Sequence, residues 1–274
     1  FGKGGTRIHH MDCTKSSDPR TYFSVTTYSF FKMADAMSVE ETKAFYDGMA
    51  KDYEGMVKED WKKDPVDSKE NRTICLAIIK ALELTKGSGV VGSVVDVGCG
   101  PGFMLHWLIN SICISGSSYN ISKEDIIGID VSTEMVELAR KRCDTSAIYV
   151  GNMQQLSGIG TLVDGSSRLI MNMTCIQHYN KQGVIETIIA AKNTLQINGI
   201  LILQFWSGDL DEPMTDSPPN AIFLKYSPNT IKNMLCHHVD IGNFQVIEES
   251  MGNYEFAPGE PGMEYTILLI QKLA

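Results

Sequence analysis

The stretch Val94-Val-Asp-Val-Gly-Cys-Gly-Pro-Gly102 decides the fold. Val94, Val95 and Val97 put β-branched apolar residues on both faces, the pattern of a strand buried inside a parallel sheet. Gly98, Gly100 and Gly102 then fall at alternate positions, and the apolar run Phe103-Met-Leu-His-Trp-Leu-Ile109 follows. Strand, glycine turn and helix bring backbone close to a ligand at a helix N-terminus. Asp96 stands two residues before the first glycine, near the carboxyl end of the strand, where open α/β sheets bind their ligands.

Outward from this stretch the chain alternates. A helix is expected over about 102–113, then a polar loop at 115–120 and a strand at Ile126–Asp130. Ser132 starts a helix carrying Met135, Val136, Leu138 and Ala139, and Ala147–Val150 is a short strand ended by Gly151-Asn152. A strand at Arg168–Met173, a helix over about 181–195, a turn at Asn198-Gly199 and a strand at Ile200–Trp206 continue the rhythm. Residues 207–226 break it with four acids and three prolines, a composition and length that suit a lid. A helix at about 228–237 and strands at Phe244–Ser250 and Glu264–Gln271, joined by a hairpin-like Pro258–Gly262 segment, close the chain. The fold class is α/β, a doubly wound seven-stranded and mostly parallel sheet with right-handed crossovers.

Before the glycine turn, Ser38-Val-Glu-Glu41 reads as a capping box opening a helix. Tyr46 and Tyr53, seven residues apart, share a face if that helix continues. A second helix covers about 71–84, with Ile74, Ala77, Ile78, Ala81 and Leu82 at helical spacing. Residues 1–36 show little periodicity and form an irregular extension; their aromatic residues Tyr22, Phe23, Tyr28, Phe30 and Phe31 predict partial packing on the main domain. His9-His10, lacking a third ligand nearby, reads as part of a solvated tail.

The 274 residues are 43% hydrophobic and 21% charged, enough apolar chain for a sizeable core. A formal net charge of -9 disfavours broad contact with nucleic-acid phosphates. No apolar run is long enough for a membrane span. The seven cysteines form no Cys-x-x-Cys pair and no zinc-like spacing, so no metal is expected and a reducing, cytoplasmic setting is. A targeting segment upstream of Phe1 would not be seen in this sequence.

Counting glycines narrows the ligand. The dinucleotide fingerprint needs a sixth-position glycine, and Phe103 stands there; the P-loop needs Gly-Lys-Ser/Thr, which is missing. Asp-x-Gly-x-Gly-x-Gly resembles the first motif of the Rossmann-like, class I methyltransferases that use S-adenosylmethionine (SAM). The resemblance runs by motif order over roughly 40–272, with an N-terminal helical extension added to the fold. The domain is then 37–274, with 207–226 as active-site lid.

The resemblance implies a set of cofactor contacts. Asp130 receives the ribose hydroxyls, beside Val131. Asn152 faces the adenine amino group, with Met153 as an apolar wall; the alternative is that Asn152 is a plain turn residue. Asp96 holds the methionyl amino group, directly or through water, Gly98, Cys99, Gly100 and Gly102 form the turn, and Met173 is a cofactor contact where that pocket meets the acceptor's. Tyr46 and Tyr53 belong to a helix folded over the cofactor, and demethylation of SAM leaves S-adenosylhomocysteine (SAH).

On the acceptor side, Thr174 sits where cofactor and acceptor pockets meet. Cys175-Ile-Gln-His178-Tyr179 resembles a segment of the small-molecule branch, including ubiquinone/menaquinone-biosynthesis-type enzymes. His178 is a candidate general base because free imidazole titrates near neutrality; the alternative is that it only shapes the pocket. Tyr46 is a second catalytic candidate, and Trp206 and Tyr226 are candidate acceptor contacts, core packing being an equal explanation of Trp206. His237 and His238 read as surface or packing residues. The expected reaction is in-line methyl transfer to an N, O or S atom of a small molecule. A protein or peptide methyltransferase, a non-catalytic SAM-binding or partner protein, and a dehydrogenase are the alternatives. The Asn/Asp-Pro-Pro-aromatic motif of base-amino methylation is missing at Asn172-Met-Thr-Cys, and nucleic acid is not the expected acceptor.

Overall fold

A computed structural model describes residues 37–58, 61, 65–68, 71–110, 121–208, 222–239, 241–254 and 262–274, and the backbone alone at 113–114, 117–118 and 212–213. The expected packing of the 1–36 extension and most of the 207–226 lid fall outside these residues.

Seven strands form one sheet: β1 Ser93–Val97, β2 Ile126–Asp130, β3 Ile148–Val150, β4 Ser167–Met173, β5 Leu195–Trp206, β6 Phe244–Tyr254 and β7 Met263–Lys272. Their order is β6-β7-β5-β4-β1-β2-β3. β1 pairs parallel with β2 and β4, as do β2 with β3 and β4 with β5. Only β7 runs against its neighbours β5 and β6. The chain starts at β1, winds outward to β3, then returns past it to β4. Ligands bind at the point where the winding direction changes, beyond the strand carboxyl ends.

Six α-helices complete the architecture among the described residues: α1 Val39–Lys58, α2 Arg72–Gly87, α3 Phe103–Asn110, α4 Thr133–Cys143, α5 Lys181–Thr194 and α6 Pro228–His237. The sheet is covered on both faces, which explains the valines of β1. Val94 packs with Ile78, Leu105 and Val136 of α2, α3 and α4. Val95 and Val97 face Val184, Ile188 and Ile231 of α5 and α6. Each buried aliphatic side chain stabilises this core by about 1.5–3 kcal/mol.

Two elements differ from the sequence reading. The expected turn at Asn198-Gly199 is an irregularity within β5, which already begins at Leu195; Asn198 has φ +65° and the pairing register with β4 shifts there. The third helix stops at Asn110, short of residue 113. The capping box forms as expected: Ser38 N donates to Glu41 Oε2 at 2.8 Å, and Glu41 N to Ser38 Oγ at 3.1 Å. α1 runs on through Gly48 and Gly55, placing Tyr46 and Tyr53 on one face.

Candidate active site

The cleft lies over the carboxyl ends of β1, β2 and β4, under α1, and encloses about 600 Å³ out to its open mouth. Its floor is the glycine turn. Gly98, Gly100 and Gly102 have φ of +77°, +51° and +80°, the left-handed region that glycine enters without penalty. At Gly98 a second constraint applies, since an added Cβ would lie 2.1 Å from Cys175 Sγ. Gly98 N and Cys99 N donate to Ile129 O at 2.7 and 3.0 Å, pinning the turn to β2.

Asp130, the last residue of β2, is 8% exposed. Gly100 N donates to its Oδ2 at 2.8 Å and Ser132 N to its Oδ1 at 2.9 Å. Each carboxylate oxygen has further lone pairs, enough to accept two hydroxyl donors from a ligand. Burial pushes its pKa up to about 6, against the lowering effect of those backbone bonds. The capping role belongs to Ser132, whose Oγ accepts from Met135 N at 3.1 Å.

Asp96 is 3% exposed, and no hydrogen bond figures among the causes of its raised pKa. Burial, with repulsion from Asp130, raises its pKa to about 7. A buried carboxylate is costly and suits a site that receives a cation. Cys99 is also buried, and its thiol is pushed well above its ordinary value by burial and by the nearby acids. It is an inert filler of the turn.

Val131 and Met153 line the cleft together with Ile129, Met135 and the Gly151 backbone. Asn152 does not: its Oδ1 accepts from Gln154 N at 3.0 Å and its Nδ2 donates to Gln154 Oε1 at 3.1 Å, so its amide shapes a local turn. Gly102, too, faces away from the cleft and packs against Ala139 of α4, where an added Cβ would lie 2.9 Å from that residue.

At the other end, Thr42, Tyr46, Met173, Thr174, Cys175, His178 and Tyr179 line the wall. Tyr46 Oη and His178 Nε2 are 2.9 Å apart, and the rings meet edge to face. His178 Nδ1 is buried without a partner, and burial lowers the imidazole to about 4, so the ring is neutral near pH 7. Tyr53 stands edge-on to Tyr46, with centroids 6.0 Å apart, and reaches over Gly100. Thr174 has φ +52°, an outlying conformation for a β-branched residue, fixed by Thr174 N donating to Gln204 O at 3.0 Å.

Two expected acceptor contacts sit elsewhere. Trp206 packs between Tyr254 and Tyr265 on the α2 face of the sheet, away from the cleft. Tyr226 is 1% exposed and donates its hydroxyl to Tyr179 O, bracing the wall from behind. Sequence reasoning missed Thr42 and did not single out Cys175 or Tyr179 as cleft walls. The spacing of Thr42, Tyr46 and Tyr53 along one helix face was the signal for the first. Among the described residues there is no cluster able to hold a metal ion, and no helix long and apolar enough to cross a membrane.

Residues 94–199 match a protein family described as Methyltransferase domain. A search of curated protein sequences found no match. Among solved structures, the chain resembles magnesium protoporphyrin IX methyltransferase of Synechocystis PCC 6803 with bound SAH, at 14% identity and TM-score 0.55, covering 85% of this chain and 99% of that one. It resembles a 1,6-didemethyltoxoflavin-N1-methyltransferase of Burkholderia thailandensis at 12% identity and TM-score 0.55, with 88% and 93% covered. The 4+2 cyclase SpnF aligns at 15% identity and TM-score 0.58, with 88% and 99% covered. At such identities the likeness establishes the fold.

Proposed function

We propose that this chain, a class I methyltransferase by its fold and by the domain matched over residues 94–199, transfers a methyl group from SAM to a small-molecule acceptor. One observation carries the reading. Asp130 is presented at the end of β2 by backbone bonds from Gly100 and Ser132, in the cleft floored by Gly98 and Gly100. A dinucleotide or P-loop protein would need a different glycine pattern.

In this reading Asp130 accepts the ribose hydroxyls, and Asp96 compensates the methionyl ammonium. Ile129, Val131, Met135 and Met153 border the adenine; the commitment of Asn152 to Gln154 leaves that contact to Met153 and the Gly151 backbone. Bound SAM supplies an electrophilic methyl on a sulfonium. The protein's task is to hold the acceptor in line with it and to exclude water, and such alignment is worth about 7–11 kcal/mol. Thr174 and Tyr46 face the acceptor. His178, neutral and bonded through Nε2 to Tyr46, orients that hydroxyl rather than taking a proton itself. The two methyltransferase neighbours named above have small-molecule acceptors in their names, which favours that class over proteins.

Incubation with methyl-labelled SAM and a cell extract split into small-molecule and protein fractions tests the proposal. Label in the small-molecule fraction, with stoichiometric SAH, is expected. Label confined to protein, or no SAH formed with either fraction, would refute it.

A further inference from the structure

α1 carries Tyr46 and Tyr53 into the cleft, yet it is held there by little apolar surface. Only Thr42 and Ala50 of its 20 residues are buried, against eight residues of α2. Polar pins fix its position instead. Asp47 Oδ1 accepts from Ser132 Oγ at 2.6 Å and from Glu134 N at 3.3 Å, while Lys43 pairs with its other oxygen. The carboxylate therefore sits at the N-terminus of α4, where free N–H groups and the helix dipole favour negative charge. Ser132 N, in turn, donates to Asp130 Oδ1. Towards the other end of α1, Glu54 pairs with Arg142, whose Nε donates to Pro101 O at 2.8 Å, inside the glycine turn.

We infer that Asp47 is a positioning residue for the cofactor: through Ser132 it ties α1 to Asp130, so that SAM or SAH binding and the docking of α1 are one event. The inference rests on the reading of the cleft as a SAM site. Its physical basis is continuity. Lys43, Asp47, Ser132, Asp130 and Gly100 form an unbroken chain of ion pair and hydrogen bonds from the outside of α1 to the floor of the cleft. A ligand held by Asp130 and covered by Tyr46 and Tyr53 touches both the cleft floor and α1, the two parts that these bonds join. It binds the docked arrangement better than the undocked one, and such a difference in affinity is what couples two equilibria. Loss of the Asp47 link leaves Asp130 and the turn intact but lets α1 lift, so ligand escapes faster while entry is little changed.

The experiment uses SAH as probe on the full chain and needs no acceptor. Asp47→Ala is expected to weaken SAH by about tenfold, mainly through a faster dissociation rate in stopped flow. Asp47→Asn, which keeps an oxygen to accept from Ser132, is expected to recover most of that loss. In wild type, saturating SAH should protect Lys43, Lys51 and Lys58 of α1 from trypsin, and in Asp47→Ala this ligand-dependent protection should shrink. A purely structural role would change proteolysis equally with and without SAH. Unchanged affinity and protection in Asp47→Ala, alongside normal wild-type binding, overturn the role of Asp47 alone. Absence of SAH binding in wild type removes the cofactor reading and this inference with it.

Discussion

Asp96→Asn is expected to make the unliganded protein more stable at pH 8 while weakening its hold on SAM. Asp96 is 3% exposed, and its pKa stands at about 7 against an ordinary 3.8. At about 1.4 kcal/mol per pH unit, keeping it ionised at pH 8 costs the folded state roughly 4 kcal/mol. Asparagine removes the charge but leaves an amide short of partners, which returns about 1–3 kcal/mol. A net gain of about 1–3 kcal/mol corresponds to roughly 2–10 °C in a chain of this size. The sign of the pH dependence follows from the raised pKa. Between about 4 and 7 the folded wild type holds a proton on Asp96 that the unfolded chain has lost, so wild-type stability increases as pH falls through that window. The variant lacks this slope, and its advantage at pH 8 should vanish by pH 5. His178 contributes an opposite slope between about 4 and 6.5, but equally in both proteins. Thermal unfolding of the two proteins from pH 5 to 8, with SAM calorimetry at pH 8, measures all of this. A difference in melting temperature that does not change with pH would refute the reasoning.

Other expectations follow from the same wall and floor. Thr174→Gly relieves a β-branched residue from φ +52°, a strain of about 1–3 kcal/mol offset by glycine's extra entropy of about 0.5–1 kcal/mol; a melting point higher by a few degrees with slower methyl transfer is expected, and a lower melting point would contradict it. His178→Gln, which can still bond Tyr46, should keep turnover within a few-fold and leave SAM affinity intact, with no inflection between pH 6 and 7 assigned to His178 in wild type. A loss of roughly 10²-fold in the Gln variant would restore the base assignment. Gly98→Ala drives a Cβ to 2.1 Å from Cys175 Sγ at positive φ and should cost about 2–4 kcal/mol in denaturant titration. Adding Cys175→Ala should recover about half of that, and strict additivity of the two changes would show that the clash is not the cause.

The parts of the molecule set by local chemistry were readable from residues alone. Glycines at 98, 100 and 102 announce a turn of positive φ, Ser38 with Glu41 a helix start, Ser132 a cap, and the valines of β1 a strand buried on both faces. What escaped depends on register or on distant partners. Trp206 follows Ile200 and Ile202 onto the α2 face by simple alternation, where Tyr254 and Tyr265, on the later strands β6 and β7, pack against it; those distant partners are what the sequence does not show. Asn152 stands at the expected strand end, and its bonds to Gln154 two residues on fit the turn role that its position also suggested. Asp47 is 85 residues from Ser132 in sequence, and only folding joins them. His178 lay in the right segment. Its chemistry changed because Tyr46 occupies Nε2 and burial disfavours the charged ring.

In the proposed site, Asp130 and the glycine turn hold the adenosyl ligand. Titration calorimetry of SAH into wild type and Asp130→Ala tests it most directly, since the ribose is common to donor and product. Wild type should bind with one site per chain, and Asp130→Ala, folded as judged by circular dichroism, should lose at least about 10²-fold in affinity, the loss expected for two hydrogen bonds to a charged acceptor at about 1.5–3 kcal/mol each. An Asp130→Ala protein that binds SAH as tightly as wild type would contradict the account.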